Sequence, residues 1–234
     1  MPSSHEITDD EQWLAARTQL LAREKELTRL RDEVNALRRA LPYRRIERAY
    51  TFAGEDGERT LRDLFGDSSQ LLVYHFMYGP GWDAGCPSCS FWADHFDPMI
   101  PHLLARDTAF AVISRAPFAT LRAYAERMGW RFPWYSSNAN SFNRDFGVTF
   151  TEEQVASKER LYNYGTSGAF AEAPGASAFL RDGDAVLHTY STYARGLDIL
   201  NGTYHWLDIT AKGRDEAGLP WPMAWLKRHD EYAS

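Results

Sequence analysis

Residues 70–78, Gln-Leu-Leu-Val-Tyr-His-Phe-Met-Tyr, form a nearly continuous apolar run. Gly79-Pro80-Gly81 stops it, and Cys86-Pro87-Ser88-Cys89 follows within a few residues. An apolar run of this length without alternation suits a strand buried on both faces, as at the centre of an α/β sheet. The glycines and proline break it. From the cysteines to about Ala105 the chain reads as a helix. A central strand, a tight turn and a helix with two thiols at its start therefore constrain the fold more than any other feature.

The flanking segments extend this pattern. Arg48–Phe52 and Glu58–Leu61 read as short strands around the turn Gly54-Glu55-Asp56-Gly57, with a helical turn over Leu61–Phe65. Phe110–Ser114 reads as a second buried strand, and Pro117–Met128 as a helix with Leu121, Tyr124, Ala125 and Met128 on one face. Phe142–Phe146 reads as a further helical turn. Ser177–Leu180 and Ala185–Tyr190 flank Asp182-Gly183, a hairpin signal. Strands alternating with helices, then a hairpin, predict a central mixed sheet with helices on both faces.

Ahead of this body, residues 9 to about 40 read as one long helix that Pro42 ends. Trp13, Leu20, Leu27, Val34 and Leu41 recur seven apart, with Leu30 and Leu37 three beyond two of them. The seam suits a homodimer coiled coil or packing on the chain's own body. The expected organisation is an N-terminal helical extension over 1–42, a domain over 43–196, and a C-terminal extension over 197–234 packed on that domain.

The cysteine pair carries the chemistry. Pro87 favours the first helical position, where its missing N–H would be unpaired anyway. The residue before a proline is pushed out of the helical region. Both facts make Cys86 the N-cap, its sulfur facing the N–H groups of Ser88 and Cys89 and the positive end of the helix dipole. That field favours thiolate over thiol. Cys89 lies one turn on, on the same face, within reach of a disulfide. Cys86 is then the nucleophile and Cys89 the resolving thiol; the bland alternative is two small buried hydrophobes.

Composition sets the compartment. The formal net charge is −6, which attracts neither nucleic acid nor an anionic membrane. No apolar run approaches the length of a membrane span, and Met1-Pro-Ser-Ser-His-Glu lacks the features of a signal peptide. A cytoplasmic chain is expected. There, structural disulfides are rare, so its two cysteines, the only ones in 234 residues, point to redox or metal chemistry.

A family resemblance rests on more specific stretches. Tyr50-Thr-Phe, Asp56-Gly57, Leu61-Arg-Asp-Leu, Leu71-Leu-Val-Tyr-His-Phe, then the cysteines, then Phe132-Pro-Trp-Tyr-Ser-Ser, Phe142-Asn-Arg-Asp-Phe-Gly-Val and Phe179-Leu-Arg-Asp-Gly-Asp-Ala-Val resemble the peroxiredoxin-type branch of the thioredoxin-like superfamily. Gly85-Cys-Pro-Ser-Cys-Ser-Phe-Trp-Ala-Asp94, Ser114-Arg-Ala-Pro117, Met128-Gly-Trp130, His188-Thr-Tyr-Ser-Thr-Tyr-Ala-Arg-Gly196 and Lys212-Gly-Arg-Asp-Glu-Ala-Gly-Leu-Pro-Trp-Pro-Met-Ala-Trp225 resemble one bacterial thioredoxin-like family catalogued as a domain of unknown function. The resemblance covers nearly the whole chain. It implies an α/β, thioredoxin-like three-layer fold, and only loosely an activity. Peroxiredoxins carry a threonine three residues before the peroxide-attacking cysteine; Asp83 stands there in this chain, against that mechanism. Thioredoxins set a cis-proline opposite their cysteine pair; Pro174 lies near that place and Ala176 is the alternative.

The resemblance also brings a metal alternative into view. Some superfamily relatives are copper chaperones with two cysteines and a distant histidine, though with three residues between the cysteines where this chain has two. Cys86 and Cys89 with His75 or His188 would suit copper(I) or zinc, as in a copper-binding protein or a copper-dependent oxidase; a hydrogen-bonded core histidine is the alternative for each. Asp94 could take the Cys89 proton or serve as a surface or salt-bridged acid. Arg115, at the carboxyl end of a predicted central strand, could pair with an anionic substrate, a thiolate or a surface acid. His95 and His102 fit a solvated helix face. Tyr78, Trp82, Phe91, Trp92, Trp130, Trp134, Tyr190 and Tyr193 could line a cleft beside the sulfurs or form core. The expected substrate is a thiol or disulfide, on a small molecule or a protein. A dimeric scaffold or chaperone built on a redox fold is the remaining alternative.

Overall fold

The computed structural model describes residues 6–157, 162–165 and 170–232. The chain forms two compact units, Met1–Pro42 and Tyr43–Ser234. The first is α1, Asp10–Arg39. Asp9 caps it by accepting the Gln12 N–H at 2.8 Å. Asp10 and Glu11 sit in its first turn and Arg38 and Arg39 in its last, each complementing the helix dipole. No residue of α1 is buried.

The second unit is built on one eight-stranded sheet. In chain order its elements are β1 (Arg44–Arg45), β2 (Thr51–Gly54), β3 (Gly57–Thr60), β4 (Gln70–His75), α2 (Pro87–Ala93), α3 (Phe96–Leu104), β5 (Thr108–Ser114), α4 (Phe118–Met128), β6 (Trp134–Ser136), α5 (Phe142–Asp145), α6 (Glu152–Ser157), β7 (Gly175–Asp182), β8 (Ala185–Tyr193) and α7 (Gly202–Asp208). The strand order is β1-β8-β7-β4-β5-β6-β2-β3. β4 runs parallel to β5, with Gln70 opposite Thr108 and His75 opposite Ile113. It runs antiparallel to β7, with Val73 opposite Ser177 and His75 opposite Gly175. A parallel central pair, an antiparallel hairpin beside it and a cysteine-bearing helix straight after the central strand make the sheet thioredoxin-like.

β4 is central and covered on both faces, as its apolar run requires. Leu71 and Val73 point into a core with Phe52, Leu64, Phe65, Ile113, Phe142, Phe146 and Phe179. Tyr74 and then Phe76 point into the opposite core, with Cys89, Trp92, Phe96, Leu121, Tyr124, Trp130, Trp134 and Tyr204. α2, α3, α4 and α7 contribute to this second core, while α5 and the turn Asp63–Phe65 cover the other face. The helices are thus unequally divided between the faces.

Two expectations change. β4 ends at His75 instead of Tyr78, because the backbone beyond it serves the loops that follow β4 and β5: Met77 accepts the Cys86 N–H at 3.1 Å, and Tyr78 accepts the Ala116 N–H at 2.8 Å. The single helix expected from the cysteines to Ala105 is two helices. Pro98 has no N–H for the Asp94 carbonyl, and its ring would crowd that carbonyl in a continuous helix. α2 therefore ends at Ala93, capped by Asp94, and α3 starts after His95.

The tail beyond residue 196 belongs to the second unit. Trp92 donates from Nε1 to the Leu197 carbonyl at 3.0 Å, and Phe91 meets the rings of Tyr204 and Trp225. No described helix is long and apolar enough to cross a membrane.

Candidate functional site

The site is the start of α2. Cys86 is its N-cap, with φ −55° and ψ 129°, and Pro87 occupies the first turn. The Cys86 carbonyl accepts the Ser90 N–H and the Ser90 hydroxyl, both at 2.9 Å. Gly85 has no room for a side chain: a Cβ there would meet the Phe76 ring at 2.8 Å and the Tyr124 ring at 2.9 Å. Glycine is therefore what lets the chain turn into the helix against two aromatic rings.

Both cysteines are free thiols, Cys86 half-buried and Cys89 buried. Their environments push them apart. The Cys86 thiol is lowered to about 6, first by the Cys89 thiol as hydrogen-bond donor, then by the N–H groups of Cys89 and Ser88 and the Ser88 hydroxyl, against the opposing effect of burial. No side-chain capping bond closes to the Cys86 sulfur, so the helix N–H groups act on it through their field. The Cys89 thiol is raised well above its ordinary value, first by burial and then by donating to Cys86. The Met77 N–H, 3.4 Å from the Cys89 sulfur, and the Tyr74 hydroxyl oppose that rise. The outer sulfur is poised as an anion and the inner one as a protonated donor.

Tyr74 was not legible as a site residue within its apolar run. Strand alternation turns it to the cysteine side, where its buried hydroxyl lies in the field of Cys89 and helps hold that thiol down. Tyr162 is a second omission: it lies within the field of Cys89, donates to the Pro174 carbonyl at 2.8 Å and accepts the Ala194 N–H at 3.0 Å. No peptide bond among the described residues is cis, that before Pro174 included. The third is Arg228, whose guanidinium donates from Nη2 at 2.8 Å and Nε at 3.2 Å to the Gly85 carbonyl and from Nε to the Tyr124 hydroxyl at 3.0 Å. Tyr124 in turn bonds Ser90 at 2.9 Å. The tail thus grips the peptide that leads into Cys86.

The metal set Cys86, Cys89, His75 and His188 is not assembled. The same alternation that turns Tyr74 toward sulfur turns His75 away, stacked on Phe142 and Phe146 in the other core. His75 Nε2 bonds Ser177 Oγ at 2.8 Å, Ser177 bonds Ser191 at 2.8 Å, and Ser191 bonds His188 Nε2 at 2.7 Å. Burial lowers His75 to about 3 and His188 to about 4, with the Arg44 charge adding to the second. Both are neutral histidines, His75 buried and His188 half-buried, joined by two serines. Among the described residues no group of three or more His, Cys, Asp or Glu is arranged to hold a metal ion, and His75 and His188 pack on Phe146 in the core away from the two sulfurs.

Asp94 and Arg115 have other partners. Asp94 Oδ1 accepts the Trp130 Nε1–H at 2.9 Å, and the His229 ring nitrogen lies 2.7 Å from the same oxygen. Arg115 pairs with Glu172 at 3.4 Å, whose carboxylate accepts the Thr149 hydroxyl at 2.6 Å. Of the aromatic group, Tyr78, Trp92, Trp130, Trp134 and Tyr193 are buried, and Trp82 is exposed. His95 is not merely solvated: its Nε2 lies 2.9 Å from Thr203 Oγ1.

Residues 2–232 match the family model described as a bacterial protein of unknown function, DUF899. The chain belongs to this family. No curated protein matches it. Among solved structures it is similar to a cysteine-to-serine mutant of Xanthomonas campestris peroxiredoxin Q, at 15% identity and a TM-score of 0.47 over 68% of this chain and 89% of that one. It is also similar to peroxidoxin BcpB from Mycobacterium tuberculosis, at 17% identity and a TM-score of 0.44 over 67% of this chain and 91% of that one. A cysteine-to-serine mutant of peroxiredoxin 6 from Arenicola marina matches at 11% identity and a TM-score of 0.47, over 68% of this chain and 70% of that one.

Proposed function

We propose that this protein is a cytoplasmic thiol–disulfide oxidoreductase with Cys86 as nucleophile and Cys89 as resolving thiol. The observation that carries the reading is the placement of the two sulfurs, Cys86 as the N-cap of α2 and Cys89 buried one turn on, with which the lowering of the Cys86 thiol and the raising of the Cys89 thiol agree. A thiol lowered to near ambient pH is mostly thiolate yet still a good nucleophile. The Cys86 thiolate attacks one sulfur of a substrate disulfide. A Cys86–substrate disulfide forms, and the other substrate sulfur leaves as a thiolate that takes a proton. Cys89 then loses its proton and attacks the Cys86 sulfur, expelling the second substrate thiolate. The substrate gains two electrons and the protein keeps them as a deficit, a Cys86–Cys89 disulfide. A cellular dithiol or glutathione restores the pair. Asp83, exposed where a peroxidase would carry threonine, favours disulfide over peroxide as the oxidant.

Trapping tests the reading. Cys89→Ala should accumulate a mixed disulfide at Cys86 with a model disulfide, and Cys86→Ala should accumulate none. Equal trapping by the two variants, or no Cys86–Cys89 bridge in the oxidised wild type, would overturn it.

A further inference from the structure

The charges flanking the α1 seam say what covers it. With Trp13, Leu20, Leu27 and Val34 at heptad position a, position d holds Ala16, Arg23, Leu30 and Leu37. Trp13, Leu20, Leu27, Leu30, Val34 and Leu37 are all exposed. The helix is 30 residues long, about 45 Å at 1.5 Å per residue. An apolar stripe of that length, charged on both flanks, is unlike the stripe of a helix buried in a core.

We infer that α1 pairs with α1 of a second copy of this chain in a parallel, in-register, two-stranded coiled coil. The flanking positions decide the orientation. Position g holds Gln19, Glu26 and Glu33, and position e holds Arg17, Glu24, Arg31 and Arg38. In a parallel dimer each g residue meets the e residue five positions on in the second copy. Glu26 then faces Arg31, Glu33 faces Arg38, and the Gln19 amide faces the Glu24 carboxylate. Two-fold symmetry repeats each contact, so every ionic pair is attractive. An antiparallel arrangement sets g against g and e against e. Glu26 then faces Glu33 and Arg17 faces Arg38, with only Glu24 against Arg31 favourable.

The intrahelical contacts agree with this use of the surface. Arg17 reaches Glu24 at 2.8 Å along one flank, and Arg23, at its d position, is turned out of the seam to pair with Glu26. A polar residue at one seam position costs stability and fixes register. Arg23 sets that layer here, since only the in-register pair places both copies' arginines beside both copies' Glu26. This pairing is independent of the redox reading: it would stand if the cysteines were inert.

The test uses the full chain. Sedimentation equilibrium at micromolar concentration should give a dimer mass, and Glu26→Arg with Glu33→Arg should raise its dissociation constant on the order of a hundredfold, since four attractive contacts become repulsive. The thiol reactivity of Cys86 reports that this variant still folds. Orientation is read in a Cys86→Ser, Cys89→Ser background: Leu20→Cys should crosslink to its own copy on oxidation, because only a parallel, in-register pair brings position 20 of both chains together. A monomer, a trimer or tetramer, a dimer indifferent to the charge reversal, or a dimer that Leu20→Cys does not crosslink would each overturn the proposal.

Discussion

Arg228 donates two hydrogen bonds to the carbonyl of Gly85, the residue directly before Cys86. A side chain that caps the turn His229–Glu231 therefore holds the peptide that aims the nucleophile. The same guanidinium bonds Tyr124, which reaches Ser90, which bonds the Cys86 carbonyl.

Arg228→Met should loosen that peptide. Hydrogen bonds from a charged donor contribute about 1.5–3 kcal/mol, so a denaturant midpoint should show a loss of that order, and the alkylation rate of Cys86 should fall. A variant as stable and as reactive as wild type would remove Arg228 from the site.

Tyr74→Phe deletes the hydroxyl that stabilises the Cys89 anion. With a single hydrogen bond worth about 0.5–1.5 kcal/mol, the resolving step should slow roughly two- to tenfold while the first attack by Cys86 keeps its rate. The lifetime of the Cys86 mixed disulfide measures this directly, and an unchanged lifetime would show that the hydroxyl is structural.

Asp94 separates scaffold from proton transfer. Asp94→Asn keeps an acceptor for Trp130 and removes the charge a proton acceptor would need. Its resolving rate should match wild type, whereas Asp94→Ala should cost about 1–3 kcal/mol of stability through the stranded Trp130 donor. A large drop in the resolving rate of Asp94→Asn alone would return Asp94 to the chemistry.

The histidine pair predicts an acid limb. His75 and His188 are lowered to about 3 and about 4 in the folded chain, against about 6.5 when unfolded. Above pH ~6.5 neither state binds the proton, and the folded state has its full stability. As pH falls below that, the unfolded chain takes up protons the folded chain refuses, and stability drops by up to about 1.4 kcal/mol per pH unit for buried His75, and by less for half-buried His188, whose charge solvent screens, until the folded values are reached. Denaturation curves that are flat between pH 6.5 and pH 4.5, on the order of the window these shifts define, would contradict the neutral pair.

What the sequence revealed about the site was what is local. Pro87 alone places Cys86 at the N-cap, because both of its constraints act on adjacent residues. The apolar run of β4 announced a central strand but concealed its faces: with both faces apolar, nothing in the run says that Tyr74 points to the sulfurs and His75 away. That ambiguity produced the metal alternative and hid the Tyr74 hydroxyl. The break at Asp94 was readable in principle from Pro98, whose effect falls four residues upstream. Arg228 was not, since it meets Gly85 across 143 residues and no local pattern marks a guanidinium that folds back on a carbonyl.

The central claim is the division of labour between the sulfurs, and the pH dependence of Cys86 alkylation in the reduced protein tests it most directly. Wild type should titrate with a midpoint of about 6. Cys89→Ala, which removes the largest cause of that lowering, should move the midpoint up toward the free-thiol value of about 8.5. A wild-type midpoint near the free value, or one that Cys89→Ala leaves in place, would contradict the account.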